Sequence, residues 1–339
     1  MTATLWDTTG GDVVKALVAE RRAGGAVSAG LAVTLVVVVD EKNVGKAEQA
    51  AMVASQQHPC RLIIVIRRQV DSADRLDAEV QVGGRLGPIE AVVMRMYGRL
   101  SLHAESVVLP LLAPDAPVVT WWHGPPPDEL AADPLAVLAD RRVTDTSLAE
   151  DPIAALHQRV ADFAPGDTDL AWTRITPWRS LLASAFDGLT ATATQARVAA
   201  AAGNPSAILL SAWVSQRLGI ESAVERSSGP GVTEVEVLLK EEDVPGPDGT
   251  PGPGDGELRI SRPDGRLATL SRTGQPERQL PLLRRELGDL LAEEVRRLDV
   301  DEVYGEVLTA ATGVTGLAER SARRTLVWRD PAAAAAAAG

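Results

Sequence analysis

The stretch LAVTLVVVVDEKNVGKAEQAAMVASQQHPCRLIIVIRR, Leu31–Arg68, decides the fold class of this chain. It opens with a continuous run of apolar, mostly β-branched residues that ends at Asp40, which is typical of a strand covered on both faces. Gly45–Gln57 has helical spacing and must end before Pro59, because the residue before a proline disfavours the helical conformation. A second apolar run, Arg61–Arg68, then predicts a strand–helix–strand unit with two parallel strands and a right-handed crossover.

The rest of the first half predicts further layers around this unit. Two strand-like segments flank the glycine-rich GGRLG, Gly83–Gly87, and predict an antiparallel hairpin. PVVTWW, Pro117–Trp122, is another short strand, and DPIAALHQRVADF, Asp151–Phe163, has helical spacing. We therefore expect residues 1–165 to form an α/β N-terminal domain with a mixed, mainly parallel sheet flanked by helices.

The second half has a different pattern, in which helical segments come first and strands follow. The predicted strands are TEVEVLLK, GELRISR and GRLATLSR, at Thr233–Lys240, Gly256–Arg262 and Gly265–Arg272. We expect residues 166–330 to form an α+β C-terminal domain with antiparallel strands and helices. The Pro/Gly-rich segment 241–256 is predicted to be a mobile loop, and the Ala-rich tail 331–339 is predicted to be disordered.

The charge and composition of the chain argue against some classes of binding partner. The chain has 339 residues and a formal net charge of −12, which argues against nucleic acid and anionic membrane surfaces, since both need basic patches on the protein. The longest apolar run, Ala26–Val39, is too short to span a bilayer. No secretory signal is visible, and the single cysteine, Cys60, excludes an intrachain disulfide. These features predict a cytoplasmic protein.

Known catalytic, cofactor and metal motifs are absent from the sequence. Gly45-Lys46 follows a strand and opens a helix, as in a phosphate-binding P-loop, but Asp40 and Ala47 stand where that motif needs a glycine and a hydroxyl. No G-x-G-x-x-G follows a strand, and the four histidines do not have metal-ligand spacing. We predict no catalytic residues, no cofactor and no metal, although the helix start at Gly45 could still attract an anion.

The segment HPCR, His58–Arg61, allows two interpretations. Positively charged neighbours could lower the pKa of Cys60 and make a reactive thiolate. A cysteine at the start of an apolar strand is more simply a small buried residue, which is the interpretation we favour. Pro59 and Arg61 then shape and anchor the strand start.

Two tryptophan-rich stretches remain, in a chain with seven Trp but only two Phe and two Tyr. In TWWHGPPP, Trp121 and Trp122 end a strand, so their side chains face opposite sides of the sheet, and we expect one indole to point outward. In DLAWTRITPWR, tryptophans alternate with arginines near the expected domain boundary, and both residue types are frequent in interface hot spots. These stretches either bind a partner or pack the joint between the domains. The partner-binding residues would be Trp121, Trp122, His123, Trp172, Arg174, Trp178 and Arg179.

Four segments in order, SQQHPCRLIIVI, PVVTWWHGPPP, DLAWTRITPWRSLLASAFD and RLDVDEVYGEVL, resemble the OpcA family of glucose-6-phosphate dehydrogenase assembly proteins. The resemblance covers nearly the whole chain. It implies a non-catalytic partner that binds the dehydrogenase, promotes its active oligomer and raises its activity at the entry to the oxidative pentose phosphate pathway, where NADPH is made. Besides the tryptophan and arginine positions, the matching residues are His58, Pro59, Cys60, Arg61 and Gly124, for which a structural role is expected.

The chain departs from the family pattern in two places. His123 stands where the family usually has a basic residue after the tryptophan pair. In cyanobacterial relatives activation is linked to cysteine pairs, and a lone Cys60 cannot form such an internal switch. The alternative function is a sugar-phosphate or nucleotide-binding enzyme that uses the α/β domain, with Arg61 and the helix start at Gly45 holding the anion.

Overall fold

The computed structural model describes residues 2–23, 31–83, 90–187, 189, 191–240, 256–322 and 324–327. The strands in the first half of this described chain form an eight-stranded sheet in the order β1-β4-β5-β3-β2-β6-β7-β8. Their bounds are β1 Thr2–Leu5, β2 Val33–Val39, β3 Cys60–Arg67, β4 Arg75–Val82, β5 Glu90–Tyr97, β6 Val118–His123, β7 Arg141–Thr144 and β8 Asp167–Asp169.

The predicted strand–helix–strand unit is confirmed. Strands β2 and β3 are parallel, with Val33 opposite Cys60, and α2 (Val44–Gln57) connects them. β3 and β5, β2 and β6, β6 and β7, and β7 and β8 also pair in parallel. β4 pairs antiparallel with both β5 and β1. The sheet is therefore mixed and mainly parallel, as expected, although residues 84–89 of the predicted hairpin turn lie outside the described residues.

Apolar side chains cover both faces of the central strands. On β2, Val33, Leu35 and Val37 pack toward α2, whereas Val36 packs on the other face with α1 (Gly10–Ala23). Successive residues of a strand point to opposite faces, so a run without polar interruptions is what a strand buried on both faces needs.

The second half contains a six-stranded sheet in the order β10-β9-β11-β12-β13-β14, counted over the described residues. Its pairs are antiparallel except for β9 and β10, which are parallel. The bounds are β9 Thr192–Ala200, β10 Glu221–Arg226, β11 Val232–Lys240, β12 Gly256–Ser261, β13 Leu267–Arg272 and β14 Arg278–Pro281. This sheet and its helices confirm the α+β class expected for the second half.

Helices cover one face of this second sheet. They are α6 Leu170–Thr173, α7 Thr176–Phe186, α8 Pro205–Leu218 and α10 Glu302–Thr312. The sequence sets the ends of α8: the Asn204 side chain accepts a hydrogen bond from the amide of Ser206, Pro205 occupies the first turn, and Gly219 ends the helix in the left-handed conformation. Val198, Val235 and Ile260 point from the strands into the resulting core.

Two helices pack on the half of the chain to which the sequence does not assign them. The first is α9 (Leu287–Arg296), which lies against α2, so that Leu291 joins the core of the first sheet. The second is α5 (Pro152–Ala161), which contributes Leu156 to the core of the second sheet, whereas α3 (Glu105–Val108) and α4 (Pro134–Val137) stay with the first. The domain limits at 1–165 and 166–330 stay a prediction. Of the predicted mobile loop, only Gly256 lies within the described residues, and the predicted disordered tail lies outside them.

Candidate functional site

The tryptophan pair lies at the carboxyl end of β6, near the middle of the first sheet. Trp121 is fully buried among the side chains of the α2 face, and Trp122 is buried on the opposite face beside Leu130 and Ala136. The prediction of opposite faces is confirmed, but the expectation that one indole points outward is wrong. Because the sheet is covered on both faces, alternation carries both indoles into apolar cores.

The two indoles differ in their hydrogen bonding. Trp122 donates from Nε1 to Asp133 Oδ2 at 3.1 Å, and Arg67 donates to both carboxylate oxygens of Asp133, at 2.8 and 2.7 Å. Burial alone would raise the pKa of Asp133, but Arg67 and these hydrogen bonds hold that pKa below its ordinary value. Trp121 Nε1 has no partner among the described residues.

His123 ends β6 and is 8% exposed. Its ring lies 5.0 Å from the ring of Trp121, between centroids, and its Nδ1 has no hydrogen-bond partner in the described chain. Burial lowers the pKa of His123, which keeps the imidazole neutral near pH 7. Gly124 follows with a φ of 133°, a conformation that side chains rarely adopt, so it turns the chain away from the strand.

The second tryptophan stretch begins at Asp169, which caps α6. Trp172 is buried and donates from Nε1 to Asp301 Oδ2 at 2.8 Å. The guanidinium carbon of Arg179 lies 3.5 Å from the centroid of the Trp172 ring, and the ring of Tyr304 lies 5.7 Å away. Two segments of the family resemblance, around Trp172 and around Tyr304, therefore pack on each other.

The two arginines of this stretch, Arg174 and Arg179, differ in their ion pairing and in the effect of burial on their pKa. Desolvation lowers the pKa of Arg179 to about 10, and its Nε has no partner among the described residues. Arg174 donates to both oxygens of Asp145, at 2.7 and 2.6 Å, and its side chain remains 31% exposed. Trp178 is buried, with the guanidinium of Arg262 5.0 Å from its ring centroid.

The structure buries the predicted partner-binding tryptophans in different cores and makes no surface of them. Trp172 and Trp178 lie in the core of the second sheet, whereas Trp121 and Trp122 lie on opposite faces of the first. All four indoles are at most 2% exposed, so none contacts solvent in this state. Within the described ranges, the one tryptophan that is mostly exposed is Trp6, at 67%, which the sequence analysis did not single out. In the sequence, Trp6 is marked only by its position directly after the short strand β1.

The HPCR segment lies at the start of β3. Cys60 is buried, and desolvation raises the pKa of its thiol to about 12, so a reactive thiolate is disfavoured, as we expected. Arg61 is buried and donates to Glu90 Oε2 at 2.8 Å and to the Leu111 carbonyl at 2.7 Å. His58 follows the last turn of α2, and Pro59 is exposed beside it.

Arg61 and Gly45 do not form a common anion site. Arg61 starts β3, whereas Gly45 lies at the beginning of α2, beyond the carboxyl end of the parallel strand β2. These positions lie at opposite ends of two neighbouring strands, roughly 20 Å apart for strands of this length. The alternative enzyme site proposed from the sequence is therefore not assembled by these two residues.

One cleft was not visible in the sequence. It lies at the joint between the halves and has a volume of about 390 Å³. Its lining combines Ser147 and Pro152 of the first half with the segment between α6 and α7, the start of α8, the start of β11 and the residue after β12. Four arginines line it: Arg174, Arg262, Arg284 and Arg285. They lie far apart along the chain, and no local pattern connects them.

The described residues contain neither a metal-binding cluster nor a membrane-spanning helix. No group of three or more His, Cys, Asp and Glu side chains there is placed to hold a metal ion. No helix of the described chain is both long and apolar enough to cross a membrane.

Comparison with known families finds matches over most of the chain. A family model described as the glucose-6-phosphate dehydrogenase subunit N-terminal domain, of the OpcA type, matches residues 51–161. The model described as the C-terminal domain of the same subunit matches residues 165–308.

Two cyanobacterial relatives carry the name OxPP cycle protein OpcA. The protein of Synechococcus elongatus is 29% identical over 196 residues, covering 52% of this chain and 43% of the relative. The protein of Synechocystis is 30% identical over 138 residues, covering 38% of this chain and 29% of the relative. The chain therefore spans less than half the length of each of these relatives.

Solved structures resemble the chain only distantly. An oxidoreductase from Sinorhizobium meliloti has a TM-score of 0.41 at 11% identity, over 89% of this chain and 100% of the other. An NAD-binding oxidoreductase from Klebsiella pneumoniae has a TM-score of 0.40 at 12% identity, over 83% and 94%. Scores this low support no argument about fold or activity.

Proposed function

Since the chain belongs to the OpcA family of glucose-6-phosphate dehydrogenase assembly proteins, we propose that it binds that dehydrogenase, promotes its active oligomer and raises its activity. The observation that carries the proposal is the match of both family domains, in order, to residues 51–161 and 165–308. In this proposal the chain works in the cytoplasm, and the NADPH-forming entry to the oxidative pentose phosphate pathway is the reaction it controls.

The proposed role is that of an allosteric activator without turnover of its own. An activator raises activity when it binds the active state of an enzyme more tightly than the inactive state, and equal affinity for both states changes nothing. A tenfold shift of that equilibrium needs about 1.4 kcal/mol of difference in binding free energy.

The Trp/Arg stretches are proposed to act on partner binding indirectly, through the cores that they stabilise. The indoles of Trp122 and Trp172 are each fixed by a carboxylate, at Asp133 and Asp301, and leave no exposed ring for a partner. Arg174 is 31% exposed, and its guanidinium is held by Asp145. A partner that binds this region would contact the guanidinium group of Arg174, which the ion pair with Asp145 holds in place.

Co-purification with the dehydrogenase tests the binding step. We expect a complex whose mass, measured by light scattering, exceeds that of either protein and identifies the stoichiometry. The chain alone, mixed with glucose 6-phosphate and NADP, is expected to produce no NADPH. Turnover by the purified chain would contradict the non-catalytic part of the proposal, and separate elution at micromolar concentrations would contradict the binding part.

A further inference from the structure

The arginine-lined cleft at the joint is positively charged, although the chain as a whole is acidic. The chain carries 46 acidic and 34 basic residues, yet four arginines and no carboxylate line the cleft. Two of the arginines are neutralised from behind: Arg174 by Asp145 and Arg285 by Glu293.

The other two arginines have no such counterion. Neither Arg262 nor Arg284 forms an ion pair with any described carboxylate. Arg262 is only 7% exposed and donates to the carbonyls of Leu282, at 3.0 Å, and Val232, at 3.1 Å. Its Nε is buried without a partner. Arg284 is exposed and donates to the Pro230 carbonyl.

The positive charge of Arg284 acts on Arg262. Burial first, and then the positive charge of Arg284, lower the pKa of Arg262 to about 10, and the nearby carboxylate of Asp264 offsets only part of this lowering. A buried charge without a counterion is costly, so a native structure that retains one gains stability when an anion binds beside it.

The beginning of α8 adds to the positive potential of the same cleft. Gly203, Asn204 and Pro205, at the start of this 14-residue helix, line the cleft. A helix amino terminus carries about half a positive charge and favours anions. Gly231 lies opposite, and a side chain there would meet Arg284 Nη2 at 2.9 Å, so the glycine leaves room for that guanidinium.

We propose that this cleft binds a small molecule that bears a phosphate group, either orthophosphate or a phosphate ester of the size of a sugar phosphate. Arginine presents paired donors that match phosphate oxygens. The volume of about 390 Å³ lies at the small end of the range for ligand pockets, and Ile175 and Leu283 offer apolar contact beside the charges. Most residues that line this site belong to the second half of the chain, and the inference does not depend on binding to the dehydrogenase.

Titration calorimetry on the full chain tests the proposal at constant ionic strength. The probes are orthophosphate, glucose 6-phosphate and unphosphorylated glucose. We expect heat of binding with the phosphate compounds and none with glucose. Stronger binding of glucose 6-phosphate than of orthophosphate would identify an ester as the ligand, and equal binding would identify free phosphate.

Arg284→Gln is the decisive variant, because Arg284 is exposed and its loss does not open a cavity. It should weaken phosphate binding by roughly tenfold or more. Arg278→Gln is the matched control: it removes the same charge from the exposed end of β14, outside the cleft, and should bind as the parent does. Melting curves verify that both variants are folded.

Three outcomes would overturn the proposal. The first is that no phosphate compound binds the parent. The second is equal weakening by Arg284→Gln and Arg278→Gln, which would show only a general charge effect. The third combines two results: phosphate does not bind in the cleft, and Arg284→Gln weakens affinity for the dehydrogenase. In that case a carboxylate of the partner occupies the cleft.

Discussion

Asp133 and Asp301 perform the same double task in the two halves of the molecule. One carboxylate oxygen of each caps a helix, accepting from the amides of Leu135 and Tyr304 at 3.0 Å. The other oxygen accepts from a buried indole, Trp122 or Trp172. A buried indole nitrogen needs such an acceptor, and a helix start needs such a cap, so each aspartate satisfies two groups at once.

Truncation of the tryptophan pair should therefore affect stability at both positions. We expect Trp121→Ala and Trp122→Ala each to lower the free energy of unfolding by about 3–5 kcal/mol, because each leaves a cavity in a packed core. Trp6→Ala, at the exposed tryptophan, is the control and should change stability by less than about 0.5 kcal/mol. Urea titration measures all three. A Trp122→Ala protein as stable as the parent would contradict the buried position.

The thiol of Cys60 should be inert in the native protein. With its pKa raised to about 12, the fraction of reactive thiolate at pH 8 is very small, and burial blocks access as well. We expect a chromogenic disulfide reagent to modify Cys60 only after unfolding in guanidinium, and Cys60→Ser to leave any activation of the dehydrogenase largely intact. Rapid modification of the folded protein, or activation that becomes insensitive to oxidant only in Cys60→Ser, would instead indicate a redox sensor.

At the scale of elements, α9 ties the two halves of the molecule together. Its sequence predicts an amphipathic helix, but amphipathicity says only that one face is buried and not against which sheet. The structure places it on α2, where Gly288 permits close approach: a side-chain carbon there would lie 2.6 Å from Val53 Cβ. The strand–helix–strand unit was predictable because its contacts are local, whereas this helix docks over a long sequence separation.

Gly288→Ala tests this crossing. The added methyl group meets a β-branched side chain that cannot move aside easily, so we expect a loss of about 1–3 kcal/mol in stability. Gly45→Ala in α2 is the matched control, since nothing lies within 4 Å of the added carbon and alanine favours the helix. Thermal melting compares the two. Equal melting temperatures would mean that α9 does not pack as described.

A buried ion pair anchors the same helix from its other side. Arg141 on β7 donates from Nη2 to Glu294 Oε2 at 2.5 Å, and Thr173 donates to Glu294 Oε1 at 2.6 Å. Glu294→Ala leaves Arg141 buried and unpaired, which should cost about 3–5 kcal/mol. The exposed pair of Arg217 and Glu306, at 3.4 Å, is the comparison, and Glu306→Ala should cost less than about 1 kcal/mol. Similar losses in both variants would refute the burial of the first pair.

At the scale of the whole molecule, the layers and the family could be predicted from the sequence, but the cleft could not. Long apolar runs and segment order are local properties, and they predicted two sheets with their helices. The arginines of the cleft come from loops and strand ends that only the folded joint brings together, for example Arg174 and Arg262. The same limit explains why one indole of the Trp121–Trp122 pair was expected to point outward: a pattern shows alternation, but not what covers each face.

The most direct test of the central claim is the initial rate of glucose-6-phosphate dehydrogenase with increasing amounts of this chain. The mass of the complex is verified in the same buffer, so that binding and activation are separated. We predict that the rate rises, or that the glucose 6-phosphate concentration for half-maximal rate falls, until the chain saturates the enzyme at the stoichiometry of the complex. Unchanged kinetics in the presence of a verified complex would contradict the account.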